Sequence, residues 1–164
     1  MFSIVDIINL AVQIEENAAK VFRDAAAKVT DSSLVSLLHW LADEEVKHAE
    51  WFSELKQKVK KTVDDPDLED MGKAILQGAL GDQTFSLKDV DFSKLGQIED
   101  LLNRAIEFED DTILFYEMIR SFVEEEETLN HLNTIIEEEK SHVRLLEEFL
   151  DSGTMGWMKD NRTC

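Results

Sequence analysis

Four stretches of this chain carry apolar residues at alternating spacings of three and four, and every stripe is broken near its middle by glutamate. The first runs Ile4, Ile8, Ala11, Glu15, Ala18, Phe22, Ala25, Val29, and the second Leu34, Leu38, Leu41, Glu45, His48, Phe52, Leu55, Val59. The third runs from Ile98 through Leu102, Ala105, Glu109, Thr112, Tyr116 and Ile119 to Val123, and the fourth from Leu132 through Ile135, Glu139, His142 and Leu146 to Phe149. Such spacing places each set on one face of an α-helix, and four comparable faces can all be covered only by packing against one another. The pattern therefore predicts an all-α four-helix bundle with polar side chains at one level of its core.

The interruptions repeat. Adding 94 to Glu15, Glu45 and His48 gives Glu109, Glu139 and His142. The flanks agree, since AVQIEENAAKVF at Ala11–Phe22 matches AIEFEDDTILFY at Ala105–Tyr116 in pattern. One helical hairpin thus looks to be written twice, related by an approximate two-fold axis. A single glutamate on an apolar stripe is ordinarily a side chain that reaches back to water. Six polar residues at one level and one offset are different. Four carboxylates in a dry core repel one another, and burying each costs several kcal/mol. Two divalent cations would cancel the four charges. A set of four carboxylates and two imidazoles suits two Fe ions, with Mn or Zn as substitutes, because Ca and Mg rarely take histidine.

Glycine and proline mark the breaks. Gly72, Gly78, Gly81, Gly96 and Pro66 all fall in a middle segment, while Gly153 and Gly156 lie near the end. The reading is one domain over 1–164, with helical hairpins at 3–61 and 98–151, a crossover at 62–97 and a tail at 152–164. Ser3 and Asp6 are spaced as a capping box, Asp31 is placed to cap the second helix, and Gly153 to end the fourth. The turn near Glu124–Glu127 is only weakly marked. Asp67–Asp70 opens a short helix through about Leu80 within the crossover.

With 17 basic and 36 acidic residues the net charge is -19, which disfavours nucleic acid and anionic membrane surfaces as partners. Cys164 is the one cysteine, so neither an internal disulfide nor a four-cysteine metal site can form within these residues. The N-terminal apolar run lacks a basic leader and is interrupted by Asp6, so a cytoplasmic location is expected. His39 and His131 read as surface or edge residues, Glu44, Glu50 and Glu138 as solvated-face residues, and Trp40 and Trp51 as packing residues. Met155, Trp157 and Met158 in the tail read as packing on the bundle or on a partner.

Glu15 with Phe22, DEEVKH at Asp43–His48, Glu109 with Phe115-Tyr116, and EEEKSH at Glu137–His142 together resemble the rubrerythrin branch of the ferritin-like diiron-carboxylate proteins. The resemblance covers the four helices and implies a ferritin-like bundle of two hairpins joined by a long crossover. It implies that Glu45 and Glu139 bridge two irons, that Glu15 and Glu109 are terminal ligands, and that His48 and His142 bind one iron each. By the same likeness Tyr116 hydrogen-bonds a ligand carboxylate; its alternative is ordinary core packing. The implied activity is oxidoreduction with hydrogen peroxide or dioxygen. The rivals are a ferroxidase or iron-storage role, and a bundle merely stapled by metal. Two departures stand out. A single cysteine cannot build the rubredoxin iron site of typical rubrerythrins, so a separate electron donor is implied. Thr112, with Ala18 as its mate, stands where those proteins carry an additional carboxylate. A homodimer is the family-level expectation.

Overall fold

The computed structural model describes residues 4–58 and 95–152. Among these residues there are four helices and no strand: α1 Ile4–Lys28, α2 Ser32–Lys58, α3 Leu95–Arg120 and α4 Glu126–Ser152. At 1.5 Å per residue each is about 38–40 Å long. The second and fourth helices begin and end 94 residues apart, so the offset seen at the polar positions governs whole elements. The third helix starts at Leu95, three residues earlier than its apolar stripe suggests. The expected Ser3 cap, the short crossover helix, the Gly153 cap and the tail residues lie outside the described residues.

Asp31 caps α2 as expected: its Oδ1 accepts from the Leu34 amide at 2.9 Å, and its carbonyl accepts from Val35 at 2.9 Å. The weakly marked turn is closed differently. The last turn of α3 tightens through bonds from the amides of Ser121, Phe122 and Val123 to the carbonyls three residues back. Glu125 then takes the position equivalent to Asp31. Its carbonyl accepts from Leu129 at 2.9 Å, and its carboxylate accepts from the Thr128 hydroxyl. A glutamate is a poor sequence signal for a helix start, which is why this boundary is faint in the sequence.

The first helix packs along α2, and α3 along α4; across the hairpins, backbones approach mainly between α2 and α4. These are the helices that carry Glu-x-x-His. The apolar core is divided in two. One half gathers Phe22, Leu34, Leu37, Leu38, Leu41, Leu101, Leu102, Leu146 and Phe149. The other gathers Ile7, Ile8, Phe52, Tyr116, Ile119, Leu132, Ile135 and Ile136. The interrupting glutamates and histidines lie between these halves in the sequence of every helix. The bundle is therefore two short apolar cores with one polar layer between them.

Candidate metal centre

All six interrupting residues are buried, none more than 3% exposed: Glu15, Glu45, His48, Glu109, Glu139 and His142. Burial at this level rules out the ordinary alternative, in which a long carboxylate side chain reaches solvent. The α-helical i, i+3 spacing sets Glu45 beside His48 and Glu139 beside His142. The antiparallel hairpins then bring the two Glu-x-x-His units face to face. Nδ1 of His48 lies 2.8 Å from Glu139 Oε1, 3.5 Å from Glu45 Oε2 and 3.7 Å from Glu15 Oε1. Nδ1 of His142 lies 3.1 Å from both Glu45 Oε1 and Glu139 Oε2. The imidazole planes are 22° from parallel, with centroids 5.8 Å apart.

Two overlapping groups result. Glu15, Glu45, His48 and Glu139 offer atoms all within 4.8 Å of one another, and so do Glu45, Glu109, Glu139 and His142. Glu45 and Glu139 belong to both. Ligand atoms about 2.1 Å from one ion are at most about 4.2 Å apart, so each group is already near the spacing of a coordination sphere.

Protein charges alone set an uneven protonation pattern. Burial, reinforced by the charges of Glu139 and Glu45, raises the Glu15 carboxyl well above the usual carboxylate range. Burial and the same two charges raise Glu109. Burial also works against ionisation of Glu139, but the close approach of the His142 and His48 imidazoles outweighs it and lowers its pKa. Burial opposes ionisation of Glu45 as well, but the Glu15, His142 and His48 side chains beside it outweigh that and lower its pKa. Burial disfavours charge on the histidines too, yet the Glu139 and Glu45 carboxylates beside them push His48 up to about 11 and His142 up to about 9. Burial raises Tyr116, which stays a neutral donor and gives its hydroxyl proton to Glu15 Oε1.

A sequence model of the rubrerythrin family matches residues 6–150. The chain belongs to the rubrerythrin family. Solved structures agree on the fold. A protein of the ferritin-like diiron-carboxylate class from Thermotoga maritima superposes with a TM-score of 0.67 at 21% identity, over 93% of this chain and 97% of that one. A hypothetical protein from Pyrococcus furiosus superposes with a TM-score of 0.70 at 22% identity, over 94% of each chain. No curated protein sequence matches at a significant level. The four-helix bundle expected from the stripes, and the ferritin-like fold that the resemblance implies, are thus the fold of this rubrerythrin-family chain.

The residues present fit a metal centre. Glu15 Oε2, Glu45 Oε1, both oxygens of Glu109, Glu139 Oε1 and Nδ1 of His48 are buried without a hydrogen-bond partner. The 2.8 Å approach of His48 Nδ1 to Glu139 is close but not aligned as a hydrogen bond. Orphaned buried acceptors are costly, and here they converge on two points. A cation at each point would satisfy all of them together. Coarsely, this rubrerythrin-family chain carries a buried Glu/His cluster with the donor chemistry of a metal site.

Several neighbours bear on the cluster. Tyr116 is fully buried, packs its ring 4.9 Å from that of Phe52, and reaches Glu15 on the opposite hairpin, so the ligand-bonding reading describes it better than packing alone. Thr112 is buried, but its hydroxyl bonds the Phe108 carbonyl of its own helix at 2.9 Å. Glu138 differs from expectation. Its side chain is 45% exposed, yet its Oε2 lies 2.9 Å from His48 Nε2. The available signal was its position just before Glu139, on the helix facing His48; the abundance of solvated glutamates hid it. Trp40, expected as a packing residue, sets its ring edge-on to His142 with centroids 5.4 Å apart. His131 is exposed as expected, and its ring lies flat on Trp51 at 4.5 Å.

Proposed function

We propose that the protein is a di-iron oxidoreductase of the rubrerythrin type, reducing hydrogen peroxide or dioxygen with electrons from a separate donor. The observation that carries this reading is the pair of buried four-residue groups sharing Glu45 and Glu139. In it, Glu45 and Glu139 would be shared between the two irons, Glu15 and Glu109 would each hold one, and His48 and His142 would each bind one through the nitrogen that faces the carboxylates. Two irons so held supply two electrons to cleavage of an O–O bond. The chain's own part is narrower. The six side chains fix the ligand geometry, the two apolar half-cores exclude bulk water, and Tyr116 holds a proton on its hydroxyl beside Glu15.

One observation favours a second reading, in which iron is substrate and the protein is a ferroxidase or iron-handling component. Thr112 offers no carboxylate and its hydroxyl is engaged by the Phe108 carbonyl, so among the described residues the two groups draw on four carboxylates and two imidazoles alone. A bundle merely stapled by metal is the remaining rival. None of the described helices is long and apolar enough to cross a membrane. A cytoplasmic location belongs to the proposal, as does a homodimer, which the family resemblance suggests.

The test is to load the protein anaerobically with Fe(II), confirm metal content by elemental analysis, and add peroxide or oxygen in turn. Saturation at two irons with oxidation faster than that of free Fe(II) supports the oxidoreductase. Uptake far beyond two per chain supports iron handling. Two bound irons that react no faster than free Fe(II) leave the structural staple.

A further inference from the structure

The ligand set obeys the 94-residue repeat, but the residues supporting it do not, and the two hydrogen-bonding departures, at Glu138 and Tyr116, both favour the same half of the centre. Glu138 lies 2.9 Å from His48 through Nε2. Its mate in the repeat is Glu44, which instead pairs with Lys47 one turn along its own helix, and Nε2 of His142 is left without a partner. The cause is local. The mate of Lys47 is Ser141, whose hydroxyl bonds the Glu137 carbonyl at 3.1 Å and does not compete for Glu138. Tyr116 gives its hydroxyl to Glu15; its mate is Phe22, which has none to give, and both oxygens of Glu109 are left unpartnered.

Each contact has a defined effect on a ligand atom. A carboxylate accepting from His48 Nε2 fixes the tautomer that leaves the Nδ1 lone pair facing Glu15, Glu45 and Glu139. Tyr116 on Glu15 Oε1 fixes that carboxylate, whose Oε1 lies 3.7 Å from His48 Nδ1 and whose Oε2 is buried without a partner. Partners of this kind typically change metal affinity by about 10–100-fold each. In the opposite half His142 bonds only within the cluster, through Nδ1 to Glu139 Oε2 at 3.1 Å, its Nε2 and both oxygens of Glu109 lack a partner, and the Trp40 ring packs beside His142.

We propose that the two metal positions are unequal: the Glu15/His48 position fills first and tightly, with Glu138 and Tyr116 as its positioning residues, and the Glu109/His142 position is the weaker, exchanging one. This rests on the metal-centre reading above. The experiment uses Co(II), and Fe(II) under anaerobic conditions, on the full chain. Anomalous diffraction from crystals grown with one equivalent of Co(II) is expected to place the ion by Glu15 and His48. Titration in solution is expected to show two steps separated by at least about tenfold. Glu138→Gln is expected to weaken the first step by about 10–100-fold, whereas Glu44→Gln, the symmetry-related change, leaves both steps within about threefold. Because Glu138 is half-exposed, the thermal midpoint of metal-free Glu138→Gln should match that of the parent, separating positioning from folding. Tyr116→Phe should likewise weaken only the first step. Two ions binding with equal affinity, one equivalent distributed over both positions, or equal effects of the two Gln variants would overturn the inequality while leaving the metal centre intact. Failure to bind any ion at two equivalents would instead overturn the metal-centre reading.

Discussion

Loading two divalent ions onto metal-free protein at neutral pH is expected to release about four protons. The count follows from the polar layer. With protein groups alone, His48 and His142 titrate near 11 and 9 and are cationic at pH 7. Burial shifts Glu15 and Glu109 towards the protonated form while Glu45 and Glu139 are shifted towards the ionised one, and a neutral buried layer needs protons on the first two. Two positive and two negative charges sum to zero. With two divalent ions, four carboxylates and two neutral imidazoles, the sum is again zero. The layer therefore exchanges four protons for four metal charges and stays neutral, which is the condition for burial in a low-dielectric core. By linkage, the overall two-ion binding constant should rise about 10⁴-fold per pH unit near pH 7, and less steeply above about 9, where His142 gives up its proton unaided. Calorimetric titration with Mn(II) or Co(II) in buffers of different ionisation enthalpy measures the number directly. Release of one proton or none would show that the metal-free layer already holds ionised carboxylates and neutral imidazoles, and the charge balance argued here would be wrong.

Other outcomes follow from the same geometry. Glu45→Gln or Glu139→Gln should cost the protein both ions, since each residue serves both groups, whereas Glu109→Gln should leave one; elemental analysis distinguishes them. Metal-free protein should lose stability as pH rises from about 6.5 towards 9 and beyond. The histidine pKa values are raised above the unfolded value of about 6.5, so their contribution is complete below it and disappears as pH passes the folded values. Glu15 and Glu109, also raised, act in the same sense; Glu45 and Glu139, lowered, lose their contribution only in acid. Urea midpoints between pH 6 and 10 check the slope, and metal should abolish most of it. Asp31→Ala removes the cap of α2 and should destabilise by about 1 kcal/mol by urea denaturation, with metal stoichiometry unchanged.

The fold was legible because each helix shows one clean apolar stripe, and the polar layer because its residues interrupt all four stripes at one repeat offset. Helix edges were less so. Leu95 starts α3 ahead of its stripe, and Glu125 caps α4 although glutamate is a weak cap. The supporting residues were least legible. Tyr116 lies on a stripe, but its hydrogen bond is implied only by the family resemblance, because its partner on the opposite hairpin depends on tertiary packing. Glu138 lies off the stripe at a half-exposed position, where periodicity says only that water is near. Which carboxylate rotamer reaches across to another helix is decided by neighbours such as Ser141 and Lys47, and a one-dimensional pattern does not contain that competition.

The repeat also separates what the cluster needs from what it tolerates. Burying four carboxylates is acceptable only if all are neutralised together, so loss of one member would strand charge in the core for all the rest. The six positions are thus bound to one another electrostatically, and the two hairpins agree at every one of them. Residues one step out carry no such constraint. Phe22 and Tyr116 fill equivalent places with almost the same shape, differing by a hydroxyl, and Lys47 and Ser141 differ on an outer face. Those differences cost the apolar halves of the core little, yet they decide which terminal carboxylate and which imidazole are held by a hydrogen bond. A two-fold ligand set inside a one-fold environment is therefore the arrangement in which two ions of one element can behave differently.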